Sequence, residues 1–277
     1  MIVCPACAGS SIQDAYVVRG CTIRRCQDCG LGRTVVPRDF DPDTYYSAEY
    51  FQGGVSDGYA DYVGSAAALR AEFQQTVQHV LQHCQARGHL LEFGCAYGFF
   101  LDEAAPHFSR VSGIELAVDA VESCQKRGHA VTRGVVSPST VQGPYDAVVG
   151  LDVIEHVPEP AETIGNLADA MSPGGVLVMT TGDWGSLLAR SMGSSWRLMT
   201  PPQHLSFFTG KSMQAIVERS GLDVIDISHP WKHVPLSLIA YQVQRLIGLR
   251  PRALSLPGAL PVNLWDAMRV TARKRKR

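Results

Sequence analysis

His89-Leu-Leu-Glu-Phe-Gly-Cys-Ala-Tyr-Gly98 runs from an apolar stretch into a glycine turn, and Gly113-Ile114-Glu115 follows about one strand–helix unit later. In a doubly wound parallel sheet, this order brings a tight backbone turn and a carboxylate to one crevice. Glu115 can accept hydrogen bonds from ribose hydroxyls, and Gly94 and Gly98 let the backbone approach a ligand closely. A dinucleotide site would need G-x-G-x-x-G, with its middle glycine against a pyrophosphate. Residues 94–98 carry neither the third glycine nor a phosphate-binding lysine. The turn therefore suits a nucleoside without phosphates.

Working outward, strand-like runs recur at 90–94, 111–115, about 129–133, 145–151, 175–181, 223–229 and about 263–272, with helical spacing between most of them. That alternation predicts an α/β fold with a mainly parallel sheet covered on both faces. Over 65–86, Leu69, Phe73, Val77, Val80 and Leu81 fall at helical spacing, so a helix leads into the first strand. Before it, residues 36–42 read as a turn-rich linker, and Tyr45, Tyr46, Tyr50 and Phe51 gather beside Gly53 and Gly54. The aromatic cluster is expected to form a lid over apolar surface.

Five of the eight cysteines fall within the first 29 residues. Cys4, Cys7, Cys26 and Cys29 make a C-x2-C…C-x2-C pattern, the spacing of a zinc ribbon in which two knuckles present four thiolates. Asp14–Arg19 and Thr22–Arg25 flank Gly20 as a hairpin. Four sulfur ligands leave no open position, so such a zinc is structural, and it supplies stability that a segment this short lacks. Without a secretory signal, disulfides are not expected.

The 277 residues are 45% hydrophobic and 18% charged, with a formal net charge of −1. That balance offers no general attraction to nucleic acid or anionic membrane. Arg273-Lys-Arg-Lys-Arg277 reads as a solvated tail. No apolar run approaches a bilayer span, and the chain reads as cytoplasmic.

Taken together, residues 92–98, Glu115, residues 145–157 and Ser172-Pro-Gly-Gly175 resemble the ordered motifs of class I S-adenosylmethionine-dependent methyltransferases. The resemblance spans roughly residues 40–277 and departs at Ala96, where the family usually has glycine. It implies a Rossmann-like, doubly wound seven-stranded sheet preceded by the ribbon. The division is 1–38 for the zinc ribbon, 39–88 for linker, aromatic lid and leading helix, and 89–277 for the S-adenosylmethionine-binding domain. It further implies that Glu92, Gly94, Cys95, Ala96, Gly98, Glu115, Leu116, Leu151 and Asp152 line the cofactor site. Tyr46 or Tyr50 would close over it, and Arg70 would reach the methionyl carboxylate.

Methyl transfer needs a nucleophile held near the sulfonium methyl and relieved of its proton. Two histidines are candidates. His204, in Gln203-His-Leu-Ser-Phe-Phe208, resembles a signature of methyltransferases acting on sugars, quinone precursors and natural products, and beside apolar walls it would be a proton acceptor tuned near neutral pH. His156 either orients the loop after the fourth strand or joins Asp152 and Glu155 in holding a divalent cation. Trp184, Trp196, Arg197 and Phe207 are expected to form the acceptor pocket, though the tryptophans would equally fill a lid core.

Residues 230–261 exceed a simple hairpin and hold a helix-like run over 235–247. They either pack on their own domain or a twin subunit, or shape an acceptor surface. The predicted activity is methyl transfer to a small molecule, O-directed, with His204 as general base. One rival is an rRNA or tRNA methyltransferase using ribbon residues Arg19, Arg24, Arg25 and Arg33, which the near-neutral charge disfavours. A second is a non-catalytic scaffold.

Overall fold

In the computed structural model, which describes residues 3–36, 66–236, 239–240, 244, 256 and 258–276, the glycine turn lies at the carboxyl end of a central strand. The seven-stranded sheet holds β4 (His89–Phe93), β5 (Arg110–Glu115), β6 (Ala130–Arg133), β7 (Tyr145–Leu151), β8 (Met171–Gly182), β10 (Leu222–Ser228) and β13 (Ala267–Lys274). Its order is β10-β13-β8-β7-β4-β5-β6. β4 pairs in parallel with β5 and β7, β5 with β6, and β7 with β8, whereas β13 runs antiparallel to both β8 and β10. The chain builds outward from β4 to β6, then returns to the other side of β4 at β7. That reversal opens a crevice at the carboxyl ends of β4 and β7, where ligands of such sheets bind.

The strands are apolar on both faces because helices cover both. Leu91, Phe93, Val148 and Leu177 point into one core with Ile164 and Leu167 of α4 (Pro160–Ala170) and Met213 and Ile216 of α6 (Gly210–Arg219), the short α5 (Leu187–Met192) falling between these two helices in the chain. Their sequence neighbours Leu90, Ala147, Val149 and Val178 point into the other. There they meet Leu69, Phe73, Val77 and Val80 of α1 (Ala66–His83), Phe100 and Leu101 of α2 (Phe99–Ala104), and Val121 of α3 (Val118–Lys126). Alternation along each strand thus feeds two separate cores.

The N-terminal hairpin is present as β1 (Ile12–Val18) and β2 (Cys21–Cys26), joined through Arg19 and Gly20, both at positive φ (51° and 78°). Two consecutive left-handed residues make the turn whose twist suits adjacent strands. β3 (Gly32–Thr34) follows, and β9 (Ser206–Phe207) from the second half of the chain completes a four-stranded sheet, β1-β2-β3-β9. The ribbon is sewn into the larger domain by backbone pairing.

Two expectations change. The last strand begins at Ala267, not near Asn263; instead, residues 259–262 form β12, which pairs with β11 (Lys232–Pro235) in a separate hairpin. Of the expected 235–247 helix, Leu236, Ile239, Ala240 and Gln244 are helical and the remainder lies outside the described residues. Tyr46, Tyr50 and the lid also lie outside them. No helix among the described residues is long and apolar enough to cross a membrane.

Candidate active site

The turn after β4 needs left-handed backbone at Gly94 (φ 67°), Ala96 (44°) and Gly98 (71°). A Cβ at Gly94 would fall 2.4 Å from Val153 Cγ2, so glycine is required there for space as well as conformation. Ala96 holds its unusual φ because its N–H donates to Glu115 Oε2 at 2.8 Å. Leu116 and Ala117 donate to Glu115 Oε1 at 2.7 and 2.9 Å. Three backbone donors fix this buried carboxylate at the end of β5, and its remaining lone pairs suit a vicinal diol. Cys95 contributes backbone here, its side chain being buried against Gly113.

Glu92, at the end of β4, is buried, and burial raises its carboxyl well above the usual range. Its Oε2 has no hydrogen-bond partner among the described residues. Arg70 lies elsewhere: it pairs with Glu103 at 3.0 Å and its side chain is 64% exposed, which corrects its assignment to a methionyl carboxylate.

Leu151 ends β7, and Asp152 follows at positive φ (51°). Thr180 Oγ1 donates to Asp152 Oδ1 at 2.9 Å, and Lys232 Nζ approaches Oδ2 at 2.6 Å. Although burial opposes its charge, Lys232 and Thr180 hold this carboxyl below the ordinary range. Lys232 also pairs with Glu72 of α1 at 3.1 Å, bringing the β11–β12 hairpin to the mouth of the crevice. Nothing local in the sequence marks Lys232, which reaches the site only through the hairpin.

Beyond β7, a short 3-10 turn carries Glu155 and His156, and the segment after β8 returns His204 against them. The two imidazoles lie edge to face with centroids 4.8 Å apart. His204 Nδ1 faces the Leu198 carbonyl at 2.8 Å, and His156 Nδ1 faces the Gln203 carbonyl at 3.1 Å. A carbonyl only accepts, so each Nδ1 carries the proton and each Nε2 the lone pair. Burial pushes His156 down to about 4. His204 is pushed to about 3, by burial and then by His156. The same burial, with Asp152 nearby, raises Glu155 to about 8. His204 is therefore not tuned near neutral pH as expected; desolvation outweighs every group that would favour its cation.

One donor atom from each of Glu155, His156 and His204 lies within 4.8 Å of the other two. Asp152, bound to Lys232 and Thr180, falls outside this group, and His204 takes the place expected for it.

The aromatic pocket assignment is corrected. Trp184 packs on Tyr16 and Phe207 at 6.1 and 5.8 Å, with the Arg25 guanidinium 4.8 Å over its ring. Trp196 Nε1 donates to Asp266, and Arg197 grips the same carboxylate through two nitrogens, all at 2.9 Å. Trp184, Trp196 and Phe207 fill a small core with Ile23 of the ribbon. The three rings are buried where the ribbon meets the larger domain, whereas Arg197 stays exposed beside them.

At the ribbon, Cys4 Sγ and Cys29 Sγ lie 3.5 Å apart and Cys7 Sγ and Cys26 Sγ 3.6 Å apart. All four thiols fall within 4.8 Å of one another. Sulfurs about 2.3 Å from one tetrahedral centre stand roughly 3.8 Å apart, so this cluster fits zinc. Cys21 is not in it. Thr209 Oγ1 donates to the Cys29 carbonyl at 2.9 Å, and Lys211 Nζ to the Asp28 carbonyl at 2.6 Å, tying the second knuckle to the start of α6.

Residues 65–227, more than half of the chain, match the profile of a methyltransferase domain. The ubiquinone biosynthesis O-methyltransferase of Xylella fastidiosa (strain 9a5c) is 24% identical over 164 residues, 52% of this chain and 66% of that protein. Its counterpart in Azoarcus sp. (strain BH72) is 24% identical over 161 residues, 53% and 69% of the two chains. The match thus spans about two thirds of the length of these relatives. Among solved structures, magnesium protoporphyrin IX methyltransferase from Synechocystis PCC 6803 with bound S-adenosylmethionine aligns with a TM-score of 0.53 at 13% identity, over 86% of this chain and 100% of that one. An S-adenosylmethionine-dependent methyltransferase from Clostridium acetobutylicum ATCC 824 aligns with a TM-score of 0.51 at 7% identity, over 74% and 92%. At these identities, the structural likeness shows the fold.

Proposed function

Because this chain belongs to the methyltransferase-domain family, we propose that it moves the methyl group of S-adenosylmethionine to an oxygen of a small acceptor such as a sugar, a glycan intermediate or a secondary metabolite. The observation that carries this reading is the Glu115 carboxylate, fixed by three backbone N–H groups beside the left-handed turn at Gly94–Gly98. A carboxylate held this way can take a ribose diol, with the turn against the nucleoside.

S-adenosylmethionine supplies a methyl group already activated by its sulfonium. What remains for the protein is to hold the acceptor oxygen about 3 Å from that carbon, exclude water and let the hydroxyl proton leave. Glu155, His156 and His204 form the acceptor anchor in this reading, their lone pairs grouped just past β7 and β8. The hairpin carrying Lys232 borders the same crevice and sets acceptor choice. The four N-terminal thiols hold a structural zinc that braces the anchor through β3 and β9.

A specific observation disfavours RNA as the acceptor. Arg24 pairs with Asp14 at 3.0 Å, Arg25 covers Trp184, and Arg33 donates to the Pro158 carbonyl and to Ser206. Three of the four ribbon arginines thus serve the fold.

The test supplies S-adenosylmethionine with a deuterated methyl group to the protein and a small-molecule extract. A mass-shifted small product supports the reading; label appearing only in RNA overturns it. With the product known, His204→Ala should leave S-adenosylmethionine affinity nearly unchanged and lower turnover about 100-fold or more. Unaltered turnover removes His204 from the anchor.

A further inference from the structure

We infer that Glu155, His156 and His204 form a second metal site, which takes a first-row divalent transition cation and leaves coordination positions open for an oxygen ligand. The inference rests on the methyl-transfer reading only for its consequence, that the open positions take the acceptor oxygen; the site itself follows from geometry.

Three independent features point to a cation. The donor atoms of the three residues are already gathered within 4.8 Å, and modest side-chain movement brings them to the ~2.1 Å bonds of such ions. Glu155 is 4% exposed, yet its Oε2 has no partner among the described residues. A buried carboxylate oxygen left so is costly, and a cation removes the cost. Finally, both histidines face backbone carbonyls through Nδ1, Leu198 for His204 and Gln203 for His156. That is the support ligating histidines usually have, since the second nitrogen's hydrogen bond fixes the tautomer and aims Nε2.

The donor set narrows the ion. Two imidazoles with one carboxylate suit zinc, iron, cobalt or manganese, whereas magnesium and calcium prefer oxygen throughout. Three protein ligands also leave open positions, unlike the closed four-thiol set at Cys4, Cys7, Cys26 and Cys29. The acidic partner expected from the sequence, Asp152, is engaged by Lys232 and Thr180, so the loop bearing His204 closes the site instead. Two elements distant in the chain must therefore dock before the three donors meet.

The experiment titrates Mn2+ into the full chain with its ribbon zinc in place, following free Mn2+ by electron paramagnetic resonance. Thiolates favour zinc over manganese, so the ribbon does not compete for the probe. One Mn2+ per chain is expected, with binding at least about 10-fold weaker in Glu155→Gln and in His204→Gln. Circular dichroism of the same samples shows that the variants are folded, and calorimetry with S-adenosylmethionine reads cofactor binding separately. Co2+ in place of Mn2+ should give the electronic spectrum of nitrogen and oxygen ligands, without thiolate charge-transfer bands. Failure of the parent to take up either ion, or equal affinity in parent and both variants, overturns the site. Mn2+ bound without any S-adenosylmethionine binding would sink the methyl-transfer reading and leave this site standing. Methyl transfer without uptake of either ion would do the reverse.

Discussion

The Thr34 hydroxyl of the ribbon donates to the His204 carbonyl at 2.6 Å, across 170 residues of sequence. Thr34 N–H donates to the next carbonyl, Leu205, at 3.0 Å, and Leu205 N–H donates in turn to the Glu155 carbonyl at 2.8 Å. A continuous chain of hydrogen bonds therefore runs from the four-cysteine segment to the two loops that carry the histidines. Thr34→Val would keep the volume but leave a buried carbonyl short of a donor, a loss of about 1–3 kcal/mol. The thermal midpoint should fall, and turnover should fall with S-adenosylmethionine affinity unchanged. Equal turnover in the two proteins would show that the ribbon does not position the anchor.

Removing the ribbon metal should act through the same route. Cys26→Ser takes one thiolate from the four-sulfur cluster and should release zinc, measured as metal per chain. Because β9 completes the ribbon sheet and Phe207 packs on Trp184, the damage should reach the larger domain and lower its thermal midpoint as well. An unchanged midpoint after zinc loss would mean that the larger domain does not depend on the ribbon.

Glu115 is open to a sharper substitution. Glu115→Gln places an amide donor against backbone N–H groups that now meet two carboxylate oxygens. Hydrogen bonds to a charged group contribute about 1.5–3 kcal/mol, so S-adenosylmethionine binding should weaken about 10- to 100-fold by calorimetry. Undiminished affinity would place the nucleoside elsewhere.

The stability of the fold should depend on pH through His79, which lies away from the site. Burial lowers its pKa from 6.5 to about 4, and its Nε2 meets Thr271 Oγ1 at 2.8 Å. Unfolded, the ring takes up its proton near 6.5. Below that pH the unfolded state binds more protons, so the stability His79 contributes is complete above 6.5 and is lost as pH falls toward 4. Glu155, raised to about 8, works oppositely as pH climbs from 4.5. Comparing thermal midpoints of parent and His79→Gln between pH 6.5 and 4 isolates the histidine. The parent should lose more over that interval; parallel curves would contradict the assignment.

Much of the sheet was legible because its signals are local. Residues 145–151 were expected as a strand and form β7 over that range, since an apolar run closed on both sides cannot be anything longer. The hairpin at Gly20 was readable from one glycine between β-branched runs. The expected pocket of Trp184, Trp196, Arg197 and Phe207 was misread for the opposite reason: their partners, Ile23, Gly32, Tyr16 and Asp266, lie far away in the chain. The short strand that brings them together, β9, is only two residues long and leaves no periodic trace.

By itself, the order of residues determined the glycine turn, the acid one unit later and the paired thiols, because each depends on conformation or chemistry within a few positions. Tertiary structure alone decided that Thr34 would hold His204, that Lys232 would claim Asp152, and that His204 would join Glu155 and His156. It also decided the proton affinity of Asp152, Glu155, His156 and His204. How far water is excluded from a side chain is set by every segment packed around it, and no local pattern encodes that sum.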